Sequence, residues 1–154
     1  MDIANSGKSK LIILFGGNMN CKNCGKVLKN HQIYCNNKCQ TDFQFNDYIQ
    51  KWKIGLKTGL KGKYQISNHI RRYLLMKYNN SCALCGWNKI NPHTGICPLE
   101  IEHIDGNYLN NSESNLILLC PNCHSLTSTY KGANMGHGRK GRKQYSLYDN
   151  PELG

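Results

Sequence analysis

Eight of the nine cysteines fall into close pairs, and their spacing is the clearest chemical signal in the chain. Cys21, Cys24, Cys35 and Cys39 follow the pattern C-x2-C-x10-C-x3-C. Cys82 and Cys85 form another C-x2-C, and Cys120 and Cys123 repeat it after an interval of 34 residues. Paired thiolates at such short spacing suit a tetrahedral zinc ion much better than a disulfide framework. Two zinc ions are expected, one per quartet. A site closed by four thiolates has no open position, so both ions are structural. Gly25 follows the first pair, where a tight turn favours a residue without a Cβ. His31, between two complete pairs, reads as a surface histidine. Cys97 is the unpaired ninth cysteine and reads as a free thiol.

The second quartet encloses an acidic, histidine-bearing segment, LEIEHIDGN at 99–107. The surroundings differ sharply in charge. Residues 51–77 hold eight Lys or Arg and no acid, whereas 82–130 hold four acids and one Lys. The whole chain of 154 residues carries a formal charge of +11, with a pI near 9.3 and a mean hydropathy of −0.59. Such a balance says little about fold and much about partners. Nucleic acid leads, because neutralising phosphates releases counterions. The basic positions expected to contact double-stranded DNA are Lys51, Lys53, Lys57, Lys61, Lys63, Arg71 and Arg72. Lys131, Arg139, Lys140, Arg142 and Lys143 extend the set into the tail, where disorder is an equal reading. RNA is the remaining alternative, although no RNA-recognition motif is visible.

Glu102-His103, then Asn115, then Cys120-Pro-Asn-Cys123-His124, with the stretch CHSLTSTYKG at 123–132, resemble the HNH endonuclease family. Phage and intron-encoded members are particularly similar, and many share a leading four-cysteine finger and a basic linker. The resemblance covers about residues 19–143 and is specific in the core. It implies an α+β fold: a small zinc-stabilised ββα-metal domain, treble-clef-like, behind a four-cysteine finger. It further implies that His103 activates water, Glu102 and His124 hold a catalytic Mg²⁺ or Mn²⁺, and Asn115 holds the loop and positions the histidine. Phosphodiester hydrolysis leaving 5′-phosphate and 3′-hydroxyl ends follows from the same likeness, in a homing or nicking enzyme. The alternative is a zinc-dependent DNA-binding protein with a degenerate centre. Glu102 stands where many relatives carry Asp, and one extra methylene changes the reach of the ligand.

The elements that must position these residues follow from periodicity. Phe45, Tyr48, Ile49 and Trp52 share one helical face. Residues 55–63, with three glycines among lysines, read as a flexible basic linker. Ser67 is an N-cap, and Ile70, Tyr73, Leu74 and Tyr78 mark the buried face of a second helix. Leu99 and Ile101 alternate like a half-buried strand; Asp105, Gly106 and Asn107 turn the chain. Leu116–Leu119 is a short apolar strand, and Pro121 suits the first turn of a helix. Glu102 and His103, as neighbours on a strand, leave by opposite faces unless the strand bends there. Asp105 reads as a turn former; His69, His93 and His137 read as incidental. Gly7-Lys8-Ser9 lacks the upstream glycine of a phosphate-binding loop.

The organisation expected is an N-terminal extension at 1–18, with Met19 as an alternative start, and a finger plus helix at 19–53. A DNA-contacting linker and helix at 54–79, a nuclease domain at 80–132 and a basic tail at 133–154 follow. Leu11–Phe15, the longest apolar run, is far below the roughly 20 residues of a membrane helix. A soluble cytoplasmic protein, monomeric or weakly dimeric, is the expectation.

Overall fold

The computed structural model describes residues 19–29 and 32–131. His31, His137, Arg139, Lys140, Arg142, Lys143 and the Gly7-Lys8-Ser9 run lie outside those residues. Two compact units divide the chain, Met1–Gln44 and Phe45–Gly154. Helix α1 (Asn37–Lys53) spans the division.

The first unit is a cysteine knuckle followed by the start of α1. The Cys21 N–H donates to the Lys26 carbonyl at 2.8 Å, and Gly25 N–H donates back to the Cys21 carbonyl at 2.9 Å. Gly25 has φ +73°, a left-handed conformation that costs glycine little and other L-residues more. A single antiparallel bridge, Asn20 to Val27, closes the turn. The Asn36 side chain accepts from Cys39 N–H at 2.8 Å, satisfying one orphan donor in the first turn of α1. Tyr34 and Phe43 pack ring against ring at 5.5 Å.

The second unit has two adjoining apolar clusters. Phe45, Ile49 and Trp52 meet Ile70, Leu74 and Leu116 in the first. The last three residues of that list come from α2 (Asn68–Lys77) and from strand β4 (Leu116–Leu119). Ser67 caps α2, its hydroxyl accepting from His69 N–H at 3.2 Å. Asn79 and Asn80, at φ +49° and +51°, end it, as asparagine tolerates left-handed geometry better than most residues. A short hairpin stands where the sequence reads as a flexible linker: β1 (Leu60–Lys61) pairs antiparallel with β2 (Gln65–Ile66). Gly59 before it is buried at φ +80°, and a Cβ there would stand 2.7 Å from Ile70 Cδ1 and 2.9 Å from Asn111 Cβ.

The second cluster joins Cys82, Leu99, Leu118, Leu119 and Cys120. Strand β3 (Glu100–His103) pairs antiparallel with β4, Glu100 opposite Leu119 and His103 opposite Leu116. One 3₁₀ turn, Glu113–Asn115, leads into β4. Helix α3 (Pro121–Ser125) follows directly, with Pro121 in its first turn. The result is strand, loop, strand and short helix in a small mixed helix-and-strand unit. Among the described residues no helix is long and apolar enough to cross a membrane.

Candidate functional site

Both cysteine quartets come together. The sulfurs of Cys21, Cys24, Cys35 and Cys39 lie within 4.8 Å of one another, and so do those of Cys82, Cys85, Cys120 and Cys123. Cys24 to Cys35 measures 3.7 Å, Cys35 to Cys39 3.3 Å, and Cys85 to Cys120 3.8 Å. A tetrahedron of sulfurs about 2.3 Å from a zinc ion has edges of about 3.8 Å. A disulfide needs about 2.05 Å, and all nine cysteines are free. The donor set and its size therefore fit a metal ion in each quartet. The second knuckle repeats the first: Cys82 N–H donates to Trp87 O and Gly86 N–H to Cys82 O, both at 2.9 Å, with Gly86 at φ +73°.

The electrostatics of each quartet agree with cation binding. Burial pushes the Cys21 thiol up, yet backbone hydrogen bonds from Cys24, Cys35 and Asn23 outweigh it and bring it to about 6. Burial likewise opposes Cys82, which backbone bonds involving Cys120, Cys85 and Leu84 bring to about 6. The side chains of Cys39 and Cys85 then push Cys35 and Cys123, respectively, up to about 12. One thiolate forms readily in each cluster while Cys35 in the first and Cys85 and Cys123 in the second resist, a conflict that a bound cation removes by replacing protons. Cys97 lies outside both quartets; burial first, then the charges of Cys120 and Cys82, push its thiol up.

Between the clamped ends, β3 sends Glu100 and Glu102 to one face and Ile101 and His103 to the other, as strand alternation requires. Glu102 Oε2 lies 2.8 Å from His124 Nε2. Glu100 Oε2 lies 2.5 Å from His124 Nδ1. Each ring nitrogen of His124 therefore meets a carboxylate. A carboxylate here only accepts, so each nitrogen must offer it a hydrogen or share a cation with it. The Thr129 hydroxyl donates to the other oxygen of Glu102, and Tyr130 packs edge-on against His124 at 5.2 Å. Two ligands on adjacent corners of a six-coordinate ion, each about 2.1 Å from it, are about 3 Å apart. Glu102 and His124 have that separation and a suitable oxygen–nitrogen donor pair.

His103 points into the loop 104–115. Its Nε2 lies 2.9 Å from Asn111 Oδ1. Asn115, 7% exposed, organises the same loop. Its Nδ2 donates to Asp105 Oδ1 and to the Asn110 carbonyl, both at 2.8 Å. Its Oδ1 accepts from Asp105 N–H at 3.0 Å. Ile104 N–H to Asn115 O at 2.9 Å continues the β3–β4 ladder past His103. Burial raises the Asp105 carboxyl, but hydrogen bonds from the Asn110 side chain, Asn107 N–H and Asn115 side chain, with the charge of His103, bring it below its usual range. Asp105 is thus more than a turn former.

Several basic residues already have partners within the protein. Lys51 pairs with Asp47 at 2.7 Å. Lys53 and Lys77 each meet Glu113 at 3.1 Å, and Lys53 also donates to the Tyr73 hydroxyl at 2.7 Å. Arg71 Nη2 donates to the Leu99 carbonyl at 2.9 Å. Arg72 stacks over Phe45 at 4.1 Å, and Lys131 lies over Tyr130 at 5.0 Å. Lys57, Lys61 and Lys63 are exposed. Glu100, Asn111 and Thr129 were not singled out from the sequence. Glu100 had a signal, its i, i+2 relation to Glu102; Thr129 lies within the stretch 123–132 that carries the resemblance, without being named in it.

Compared with curated proteins, the chain is similar to the H-N-H endonuclease F-TflIV of Escherichia phage T5. The two are 46% identical over 74 residues, which is 47% of this chain and 30% of the relative. The likeness to HNH endonucleases read from the motif residues therefore has a named counterpart. The chain spans about 30% of the length of that relative. No family model matches the chain, and no solved structure does.

Proposed function

We propose that this chain is a metal-dependent DNA endonuclease of the HNH kind, hydrolysing phosphodiester bonds to leave 5′-phosphate and 3′-hydroxyl ends. The observation that supports it best is the contact of Glu102 with His124 on one face of β3, with His103 held on the other. The similarity to a phage H-N-H endonuclease supports it independently. The fold this reading implies is the ββα-metal unit, formed by β3, β4 and α3, with a structural zinc ion in each quartet.

Glu102 and His124 would hold a Mg²⁺ or Mn²⁺ ion, which, when bound, stabilises charge on the phosphoryl oxygens and the leaving 3′ oxygen. Thr129 fixes the rotamer of Glu102 by occupying its second oxygen. His103 takes a proton from water as the water oxygen forms its bond to phosphorus. The P–O3′ bond breaks, and solvent returns a proton to the 3′ oxygen. Asn115 keeps the loop closed, so that β3 ends with His103 in a fixed orientation. Lys57, Lys61 and Lys63 are the exposed lysines of the hairpin region from which phosphate contact is expected.

Incubation with supercoiled double-stranded plasmid and Mg²⁺, followed by mapping of the ends, tests the reading. Conversion to nicked or linear DNA, lost in His103→Ala with zinc content retained, is the expected result. Binding of DNA without cleavage under any divalent ion would overturn the enzyme and leave a binding protein.

A further inference from the structure

Asn111 is 4% exposed, yet it sits in a loop with three other asparagines, and its contacts run in three directions. Its carbonyl accepts from the Trp52 indole N–H at 2.6 Å. Its Nδ2 faces the carbonyls of Tyr108 and Leu109, at 3.4 Å each. Its Oδ1 faces His103 Nε2 at 2.9 Å. Carbonyls only accept, so the amide is oriented with its nitrogen toward them and its oxygen toward the imidazole. Reversal would set Oδ1 against two carbonyl oxygens. An amide oxygen also only accepts, so Nε2 must carry the hydrogen, and the lone pair of a neutral ring is left on Nδ1.

The rest of the unit braces this arrangement. Trp52 is 4% exposed, in the apolar cluster with Ile70 and Leu74. Gly59 gives Asn111 and Trp52 room: a Cβ there would stand 2.9 Å from Asn111 Cβ and 3.2 Å from Trp52 Nε1. Helix α1, through Trp52, and Gly59 before the hairpin therefore converge on one residue, Asn111, whose side-chain oxygen meets His103.

On the reading of His103 as general base, we propose that Asn111 is its positioning residue, selecting the Nε2–H tautomer and leaving Nδ1 to take the proton from water. Trp52 acts through Asn111 by fixing its backbone. Asn115, which the HNH motif singles out, closes the loop; the imidazole contact belongs to Asn111.

The experiment is long-range ¹H–¹⁵N correlation on the zinc-loaded full chain with ¹⁵N-histidine, at a pH where the imidazole is neutral. His103→Ala identifies the His103 signals. The expected parent spectrum has a pyrrole-type Nε2 and a pyridine-type Nδ1. Asn111→Leu removes the acceptor and gives a tautomer mixture. In cleavage assays Asn111→Leu should lose about 10- to 100-fold in kcat with KM little changed. Trp52→Phe should lose less, in the same direction. A parent spectrum with hydrogen on Nδ1, or an Asn111→Leu variant with unaltered tautomer and kcat, would overturn the assignment. The parent spectrum decides even if Asn111→Leu does not fold. If the tautomers behave as expected but the parent cuts no DNA, the endonuclease reading fails while the positioning of His103 by Asn111 stands.

Discussion

Replacing Asn115 with aspartate changes almost nothing in shape and reverses one polar group. The Nδ2 that donates to Asp105 Oδ1 and to the Asn110 carbonyl, both at 2.8 Å, becomes an oxygen facing two oxygens. A buried acceptor losing its donor costs about 1–3 kcal/mol. The two carboxylates also repel, by about 1 kcal/mol at 4 Å in bulk water and about 4 kcal/mol at an effective dielectric near 20. Asn115 is buried but Asp105 is exposed, so solvent screens part of that repulsion. The combined loss is about 3 kcal/mol, a large share of the stability of about 5–15 kcal/mol usual for a domain. Urea unfolding followed by tryptophan fluorescence measures it, since Trp52 lies against the loop. With a slope of about 1–2 kcal/mol/M, the midpoint should fall by about 1.5–3 M. Acidification gives the sign. The like-charge pair raises the carboxyl value of one member, so the deficit is present above that raised value and shrinks as pH falls through it. As pH falls from neutral through that raised value, the variant should regain stability relative to the parent. A midpoint equal to that of the parent at neutral pH, or a deficit that does not shrink in acid, would refute this account of the loop.

Glu113 offers a second pH test. The Tyr73 hydroxyl first, and then Lys77 and Lys53, hold its carboxyl at about 2 against an ordinary 4.5. Its stabilisation is fully present above the ordinary value and lost as pH falls through about 2. Glu113→Gln should cost about 1–2 kcal/mol at neutral pH, after allowance for solvent screening, and flatten the acid limb of the stability profile measured by urea unfolding. Glu102→Ala should weaken Mn²⁺ binding, read by calorimetry, and cleavage by about 10²-fold or more while leaving zinc unchanged. Glu100→Gln should cost about 10-fold, because it only orients the ring of His124. Elemental analysis should find two zinc ions per chain, and chelation should unfold both quartets; an unchanged circular dichroism spectrum after complete zinc removal would contradict that.

The sequence carried the two cysteine quartets in full, because the spacing within each pair is a local property. It carried the apolar faces of α1 and α2 for the same reason: Phe45, Ile49 and Trp52 keep helical period, and Ser67 caps locally. The paired strands were legible from Leu99–Ile101 and Leu116–Leu119, with Pro121 marking the next helix. The hairpin at 60–66 was not. Its strands are two residues each, and nothing local distinguishes Gly59, buried against Ile70 and Asn111, from the exposed glycines beside it. Asn111 was hidden for a related reason. It is one of several asparagines between 107 and 115, and only tertiary packing against Trp52 shows that it is buried beside His103. The basic run from Lys51 to Lys77 was legible as charge, but Glu113, far along the chain, takes two of its lysines. That pairing depends on folding, which composition does not report.

Cys120 supplies a sulfur to the second quartet and caps α3, its side chain accepting from Cys123 N–H at 3.5 Å. A five-residue helix cannot persist on its own propensity, so the quartet is what holds α3 in register beside β3. His124 follows Cys123 directly. If Glu102 and His124 hold the proposed divalent ion, its binding would be thermodynamically linked to metal in the second quartet. An ion at the quartet would favour the Glu102–His124 pair by holding α3 beside β3. Depleting the quartet ion would then lower the affinity of the second site before any of its own ligands had changed.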